Sequence, residues 1–250
     1  MRLRLIRNAT LQVEFAGQHL LVDPMLAEPQ SYPSLTWGAS AKRNPTVSLP
    51  CSLDELLSPD AVVLTHTHFD HFDRVAAQRL PKQCPVLGQP SDRTRLSAQG
   101  FEDFRSVGHT PLDWRGIQLS RIQGKHGQGI IGYAMGVVSG FILKAAGEPT
   151  FYVAGDTIWC SVVQMAIETH RPDVIAVNSG AAQFNIGAPI IMTAEDVIQV
   201  CKTAPHAEVV AIHMEAVNHC RLTRQALTEA VAKVGAAQQV IIPQDGDMIF

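Results

Sequence analysis

The sequence predicts one layered α/β domain spanning residues 1–250. Three observations support this. Short apolar strands and amphipathic helices alternate from one end of the chain to the other. No linker or low-complexity segment interrupts them. With 46% hydrophobic and 17% charged residues, a 250-residue chain can bury a large core.

The elements follow in order. "RLRLI" and "LQVEF" alternate apolar and polar residues and read as strands, and after the turn at Gly17-Gln18 "HLLVDP" runs apolar until Asp23-Pro24. Residues 25–52 have no period but carry several Pro and Ser, with Tyr32 and Trp37 among them. A loop of that length is usually functional or disordered, so a lid over a site is the expectation. "SLDELL" begins with an N-cap pattern and predicts a short helix. "DAVVLTH" is a buried strand, and Phe72 to Leu80 fits a helix stopped by Pro81. The second half repeats this grammar. "GIQLSRIQG" is a strand ending at Lys125-His126-Gly127, and "SGFILKAAG" and "TFYVAGD" are paired strands ending at Asp156. "VVQMAIETH" is helical, "PDVIAVNSG" is a strand, and "TAEDVIQVCKTA" is a helix with Thr193 as its N-cap. "AEVVAIHME" is a strand ending at His213, "TRQALTEAVAKVG" is a helix with a Gly stop, and "QQVIIPQDGDMIF" closes the chain.

Composition excludes several classes. A formal net charge of -3 with no basic stripe disfavours binding to a nucleic-acid backbone. No stretch approaches a membrane span, and the opening "MRLRLIRNATLQVEF" has no apolar core of the kind that signal peptides carry. The five cysteines (Cys51, Cys84, Cys160, Cys201 and Cys220) are odd in number and widely spaced, which predicts a reduced, cytoplasmic protein. Nothing in the sequence opposes a homo-oligomer.

The chemistry concentrates in "VVLTHTHFDHFD", where His66, His68, Asp70, His71 and Asp73 follow a strand. A turn needs only Gly, Asn, Asp, Ser or Pro. Imidazole and carboxylate together suit a borderline divalent cation, and a set without thiolate is typical of catalytic rather than structural zinc. His66, His126, Asp156 and His213 each sit just past an apolar strand, where layered α/β folds collect function. The spacing His66-x-His68 lets two rings reach one cation, and Asp70-His71 turns the next pair toward a second.

"THTHFDH" resembles the HxHxDH motif of the metallo-β-lactamase superfamily, and His126 in "GKHG", Asp156 in "VAGDT" and His213 in "VAIHME" match its later positions. "LLVDP" resembles the family's second strand, so the likeness covers nearly the whole chain. The "GKHG" and "GD" context looks most like the branch of ascorbate-6-phosphate lactonase-like metal-dependent hydrolases. The resemblance implies a four-layer αββα sandwich of two mixed sheets. It implies two divalent metal ions, with zinc favoured and manganese or iron also suited. His66, His68 and His126 would hold one ion, Asp70, His71 and His213 the other, and Asp156 would bridge them. A hydroxide between the ions would be the nucleophile, and Asp70 would also act catalytically as a proton carrier.

His109 in "SVGHTP" competes with His126, and His219 with His213, but His126 has Gly neighbours and His213 ends a clean strand. His19 and His206 read as solvent-facing, and His170 as a helix end. Asp23 reads equally as a turn former or as an acceptor for a ligand histidine's ring N–H. Tyr32, Trp37, Asn218 and His219 are candidates for substrate contact, with Glu215 a weaker one. The expected substrate is a small cytoplasmic molecule, a lactone or a (phospho)ester. Three alternatives stay open: a phosphodiesterase or nuclease of the same fold, a flavodiiron-type redox protein, and a non-catalytic metal-binding protein. His68 and the chain length oppose the flavodiiron type, and the intact ligand set opposes loss of catalysis.

Overall fold

The computed structural model describes residues 1–35 and 40–250. Trp37 lies outside the described residues. Two sheets divide the chain between them. The first has six strands in sequence order: β1 (Arg2–Arg7), β2 (Thr10–Phe15), β3 (Gln18–Val22), β4 (Ala61–Leu64), β5 (Val86–Gly88) and β6 (Phe104–Ser106). β1, β2 and β3 form an antiparallel meander, and β3 to β6 run parallel. The second has seven: β7 (Leu112–Trp114), β8 (Ile117–Gln123), β9 (Ser139–Lys144), β10 (Phe151–Val153), β11 (Val174–Asn178), β12 (Glu208–Ile212) and β13 (Val240–Ile241). It repeats the pattern, antiparallel from β7 to β10 and parallel from β10 to β13.

The strand sequences dictate the layers. Ala61 and Val63 of β4 point into the core between the sheets, where they join Leu5, Val13 and Leu87 against Leu119, Phe141, Val153 and Ile212. Val62 and Leu64 point the other way, toward Phe72 just before α1 (Arg74–Arg79), Ala76 on it and Leu96 on α2 (Arg93–Ala98). On the far face, Ile142, Tyr152 and Ile175 meet Val163, Val197 and Leu227 of α4 (Ser161–His170), α5 (Ala194–Thr203) and α6 (Arg224–Lys233). Strands buried on both faces read as continuous apolar runs rather than alternating ones. Each fully buried Val, Leu or Ile stabilises the fold by roughly 1.5–3 kcal/mol. The architecture is the expected four-layer αββα sandwich.

Local expectations hold with small shifts. "SLDELL" forms a short 3-10 turn at Leu53–Leu56, where Ser52 and Glu55 make a capping box. α1 starts after Asp73, whose side chain accepts from the Ala76 N–H. Strands β5, β6 and β7 escape a sequence reading because three residues carry no period. A short helix, α3 (Gly129–Ala134), contains two glycines and buries none of its residues, so it has no amphipathic signature. Among the described residues, no helix is long and apolar enough to cross a membrane.

The 25–52 segment is irregular yet firmly held. The fully buried Arg7 donates to the carbonyls of Met25, Ala27 and Val47 at 2.6, 2.9 and 3.0 Å. Asp73 accepts from the Leu26 and Ala27 N–H groups at 2.9 and 2.7 Å. Tyr32 and Asn44 form an isolated antiparallel bridge.

A candidate metal centre at the strand ends

Each of the seven predicted ligands lies beyond the C-terminal end of a strand, so two sheets converge on one spot. β4 delivers His66, His68, Asp70 and His71, and β8, β10 and β12 deliver His126, Asp156 and His213. All but His68 are buried. They form two clusters, His66-His68-His126 and Asp70-His71-Asp156-His213, with ligand atoms within 4.8 Å of one another in each. Asp156 faces both. Its Oδ2 lies 3.9 Å from His66 Nε2 and 3.4 Å from His126 Nε2, and its Oδ1 lies 3.2 Å from His71 Nε2 and 3.7 Å from His213 Nε2. Gly155 permits this. It has φ +66°, and a Cβ there would meet the Ser139 carbonyl at 2.5 Å.

The hydrogen bonds behind the rings establish what faces inward. His71 Nδ1 donates to Asp23 Oδ2 at 2.8 Å, and His126 Nδ1 donates to the Ile190 carbonyl at 2.8 Å. Thr65 Oγ1 donates to Asp23 at 2.7 Å and lies 3.0 Å from His66 Nδ1, where it can only accept. In its neutral form each of these three rings therefore presents a bare Nε2 lone pair to the cluster. With the ring nitrogens that face one another unprotonated (His66 Nε2 to His68 Nδ1, 2.9 Å; His71 Nε2 to His213 Nε2, 3.2 Å), their lone pairs and the carboxylate would repel. Cations between them remove the conflict, so the donor set fits divalent metal ions.

The proton affinities reflect the same electrostatics. Burial holds His66 and His68 toward the neutral form. Burial acts likewise at His71, but the Asp156 and Asp23 carboxylates outweigh it and raise its pKa to about 10. His213 is also raised against burial, chiefly by Asp156. Burial favours protonation of Asp70 and Asp156, yet the surrounding imidazoles hold both below the ordinary carboxylate range. Protons and metal ions thus compete for one site.

Asp23 settles as an acceptor for a ligand histidine, taking Thr65 N at 2.8 Å as well as Thr65 Oγ1 and His71. His109, His19 and His206 are exposed, which leaves the cluster to His126 and His213. Two asparagines were not anticipated. Asn178, the last residue of β11, donates to Asp156 Oδ1 at 2.7 Å. Asn8, in the β1–β2 turn, donates to the Asp70 carbonyl at 2.9 Å and accepts from the His213 N–H at 2.9 Å.

A cavity of about 250 Å³ opens over the cluster. Its floor includes His68, Asp70, His126 and Asp156, and its walls include Leu35, Phe69, Met135, Phe184, Arg95 and His219. A larger hollow of about 300 Å³ on the first sheet is lined by Arg2, Arg4, Glu14 and Glu55, and none of the seven residues reaches it. Of the substrate-side candidates, His219 lines the cavity over the metal cluster, with its ring stacked on Phe184 at 6.1 Å. Burial lowers its pKa to about 4, so it is neutral at pH 7. Tyr32 and Asn218 do not line the cavity. Tyr32 packs edge-on against Phe69 at 5.8 Å. Asn218 is engaged by the 25–52 segment, through Asn44 Nδ2 at 2.8 Å, Leu35 N at 3.1 Å and the Ser40 carbonyl at 2.7 Å. Glu215 is bound to Arg224 at 2.7 Å. The segment reaches the cavity through Leu35 alone among its described residues.

An αββα sandwich carrying a His/Asp cluster at its strand ends defines a metallo-hydrolase class. The beta-lactamase superfamily domain matches residues 18–214, and the chain belongs to that family as a metal-dependent hydrolase. It is 41% identical to the UPF0173 protein YddR of Bacillus subtilis, over 99% of this chain and 98% of the relative. The isothiocyanate hydrolase from Delia radicum gut bacteria superposes with a TM-score of 0.95 at 36% identity, covering 100% of this chain and 99% of that one. A structure described as a possible metal-dependent hydrolase from Veillonella parvula also superposes at 0.95, with 35% identity and coverage of 100% and 98%.

Proposed function

We propose that this enzyme hydrolyses a small, largely apolar electrophile of the isothiocyanate class at a centre of two divalent ions, with zinc favoured and manganese or iron also suited. His66, His68 and His126 would hold one ion, Asp70, His71 and His213 the other, and Asp156 would be shared. Bound there, such ions supply Lewis acidity and acidify water toward neutral pH. The observation that carries the reading is the cavity, whose Leu35, Phe69, Met135 and Phe184 side chains enclose the cluster with apolar surface. The full-length likeness to an isothiocyanate hydrolase supports that substrate class.

The chain's own groups have defined tasks. The apolar walls bind the substituent and exclude bulk water. Asp70 lines the cavity and can accept a proton from the attacking water and return it to the leaving nitrogen. Neutral His219 can hydrogen-bond the substrate's heteroatom without adding charge. Water adding across C=N of R–N=C=S gives a thiocarbamic acid, which splits into the amine R–NH2 and carbonyl sulfide. A second reading, a lactone or an ester bearing a phosphate or carboxylate, is favoured by Arg95, a cationic residue that also lines the cavity. A panel of aryl and alkyl isothiocyanates, lactones, phosphomonoesters and phosphodiesters decides between them, with amine release as the readout for the first group. Turnover of isothiocyanates above the other classes is expected. Turnover of anionic esters or lactones alone would overturn the first reading in favour of the second.

A further inference from the structure

His213 differs from its neighbours in what stands behind its ring. The outer nitrogens of His66, His71 and His126 meet oxygen atoms at 3.0, 2.8 and 2.8 Å. His213 Nδ1 meets sulfur instead, the Cys220 Sγ at 3.5 Å. The Cys220 thiol donates to the His213 carbonyl at 3.4 Å, so the sulfur lone pairs are what the ring N–H finds. Gly180 closes the other side. A Cβ there would lie 2.2 Å from the His213 carbonyl oxygen and 2.5 Å from Cys220 Sγ. A glycine there is what leaves room for the sulfur beside the His213 ring. His213 also needs holding, because its φ of +62° lies in a region that residues with side chains rarely adopt.

We propose that Cys220 is a positioning residue for His213: its sulfur accepts the Nδ1–H, fixes the tautomer that leaves Nε2 bare, and aims the ring at Asp70, His71 and Asp156. The proposal rests on the metal-centre reading above. It assigns a task to a cysteine that neither forms a disulfide nor lines the cavity.

Metal affinity tests it without relying on turnover. Metal-free wild type, Cys220→Ala, Cys220→Ser and Cys201→Ala would be titrated with zinc against a chromophoric chelator, and with cobalt(II) followed by its visible absorption. Cys201 is the control, a buried thiol on α5 that belongs to the core between the second sheet and its helices and is not one of the clustered His and Asp residues. Partners that orient metal-ligating histidines are worth about 10–100-fold in affinity. Cys220→Ala should therefore lose about tenfold or more for one zinc equivalent and shift the cobalt spectrum. Cys220→Ser should fall between, because its hydroxyl still accepts. Cys201→Ala should stay within about twofold even where its thermal stability drops. Wild-type affinity in Cys220→Ala, or an equal loss in Cys201→Ala, would overturn the proposal while leaving the metal centre standing. Failure of wild type to take up zinc or cobalt would sink the metal centre itself, and this proposal with it.

Discussion

Replacing Asp23 by Asn should weaken the metal site from one step behind it. The residue is 1% exposed and its side chain accepts three hydrogen bonds, from Thr65 N at 2.8 Å, Thr65 Oγ1 at 2.7 Å and His71 Nδ1 at 2.8 Å. Asparagine has the same shape but a single acceptor oxygen. With that oxygen on Thr65 N, its amide N–H would face two donors, Thr65 O–H and His71 Nδ1–H. Thr65 must then turn, which releases His66 Nδ1 as well, so one substitution unsettles a ligand in each cluster. Orienting carboxylates of this kind contribute about 10–100-fold to metal affinity, or roughly 1.4–2.8 kcal/mol. Buried hydrogen bonds to a charged acceptor add about 1.5–3 kcal/mol each to stability when their partners would otherwise be orphaned. Zinc affinity by chelator competition, kcat/KM, and urea unfolding of the metal-free protein would be measured together. The reasoning predicts a loss of tenfold or more in affinity and a lower unfolding midpoint. A variant that keeps zinc affinity within twofold would refute the view that Asp23 orients His71.

Three further outcomes follow from the same geometry. Asp156→Asn removes the charge whose two oxygens face both clusters, so metal content after dialysis should fall for both ions, as read by elemental analysis. His68→Ala should cut hydrolysis by a hundredfold or more while shifting thermal stability little, since His68 is only half-buried on a loop and ligand loss removes several kcal/mol of barrier lowering. Metal uptake should release protons at pH 7. The pKa of His71 is raised to about 10, so its ring stays protonated at pH 7 until a cation displaces the proton, and that of His213 is raised too. Apparent affinity should therefore climb as pH rises from 6 toward 10, and calorimetry in buffers of different ionisation enthalpy should report net proton release; a buffer-independent enthalpy would contradict it.

The grouping of these seven side chains was legible in the sequence because they lie in "THTHFDH" or follow clean strands, where position along the chain already implies position in space. His126, Asp156 and His213 could be placed because each follows the end of an apolar strand. What was hidden depends on contacts between distant segments. Ile190 lies 64 residues from the ring it receives, and Asn178 lies 22 residues from Asp156. Each looks ordinary in its own window. Arg95 and Phe184 reach the cavity from α2 and the loop after β11, and no local pattern distinguishes them from surface or packing residues. Asn218 misled for the converse reason: a polar residue in a loop beside His213 suggested substrate contact, but its amide is occupied by the long irregular segment before β4. Short strands such as β5 hold too few residues to display a period, and sheet pairing defines them instead.

The central claim is that these seven side chains bind the metal ions that power hydrolysis. Metal content and hydrolysis of an isothiocyanate substrate, measured on one preparation before chelation, after it and after stepwise return of zinc, test that claim most directly. The account predicts two equivalents bound, loss of both metal and turnover with the chelator, and recovery that saturates at two. Full turnover by the chelated, metal-free protein would contradict it.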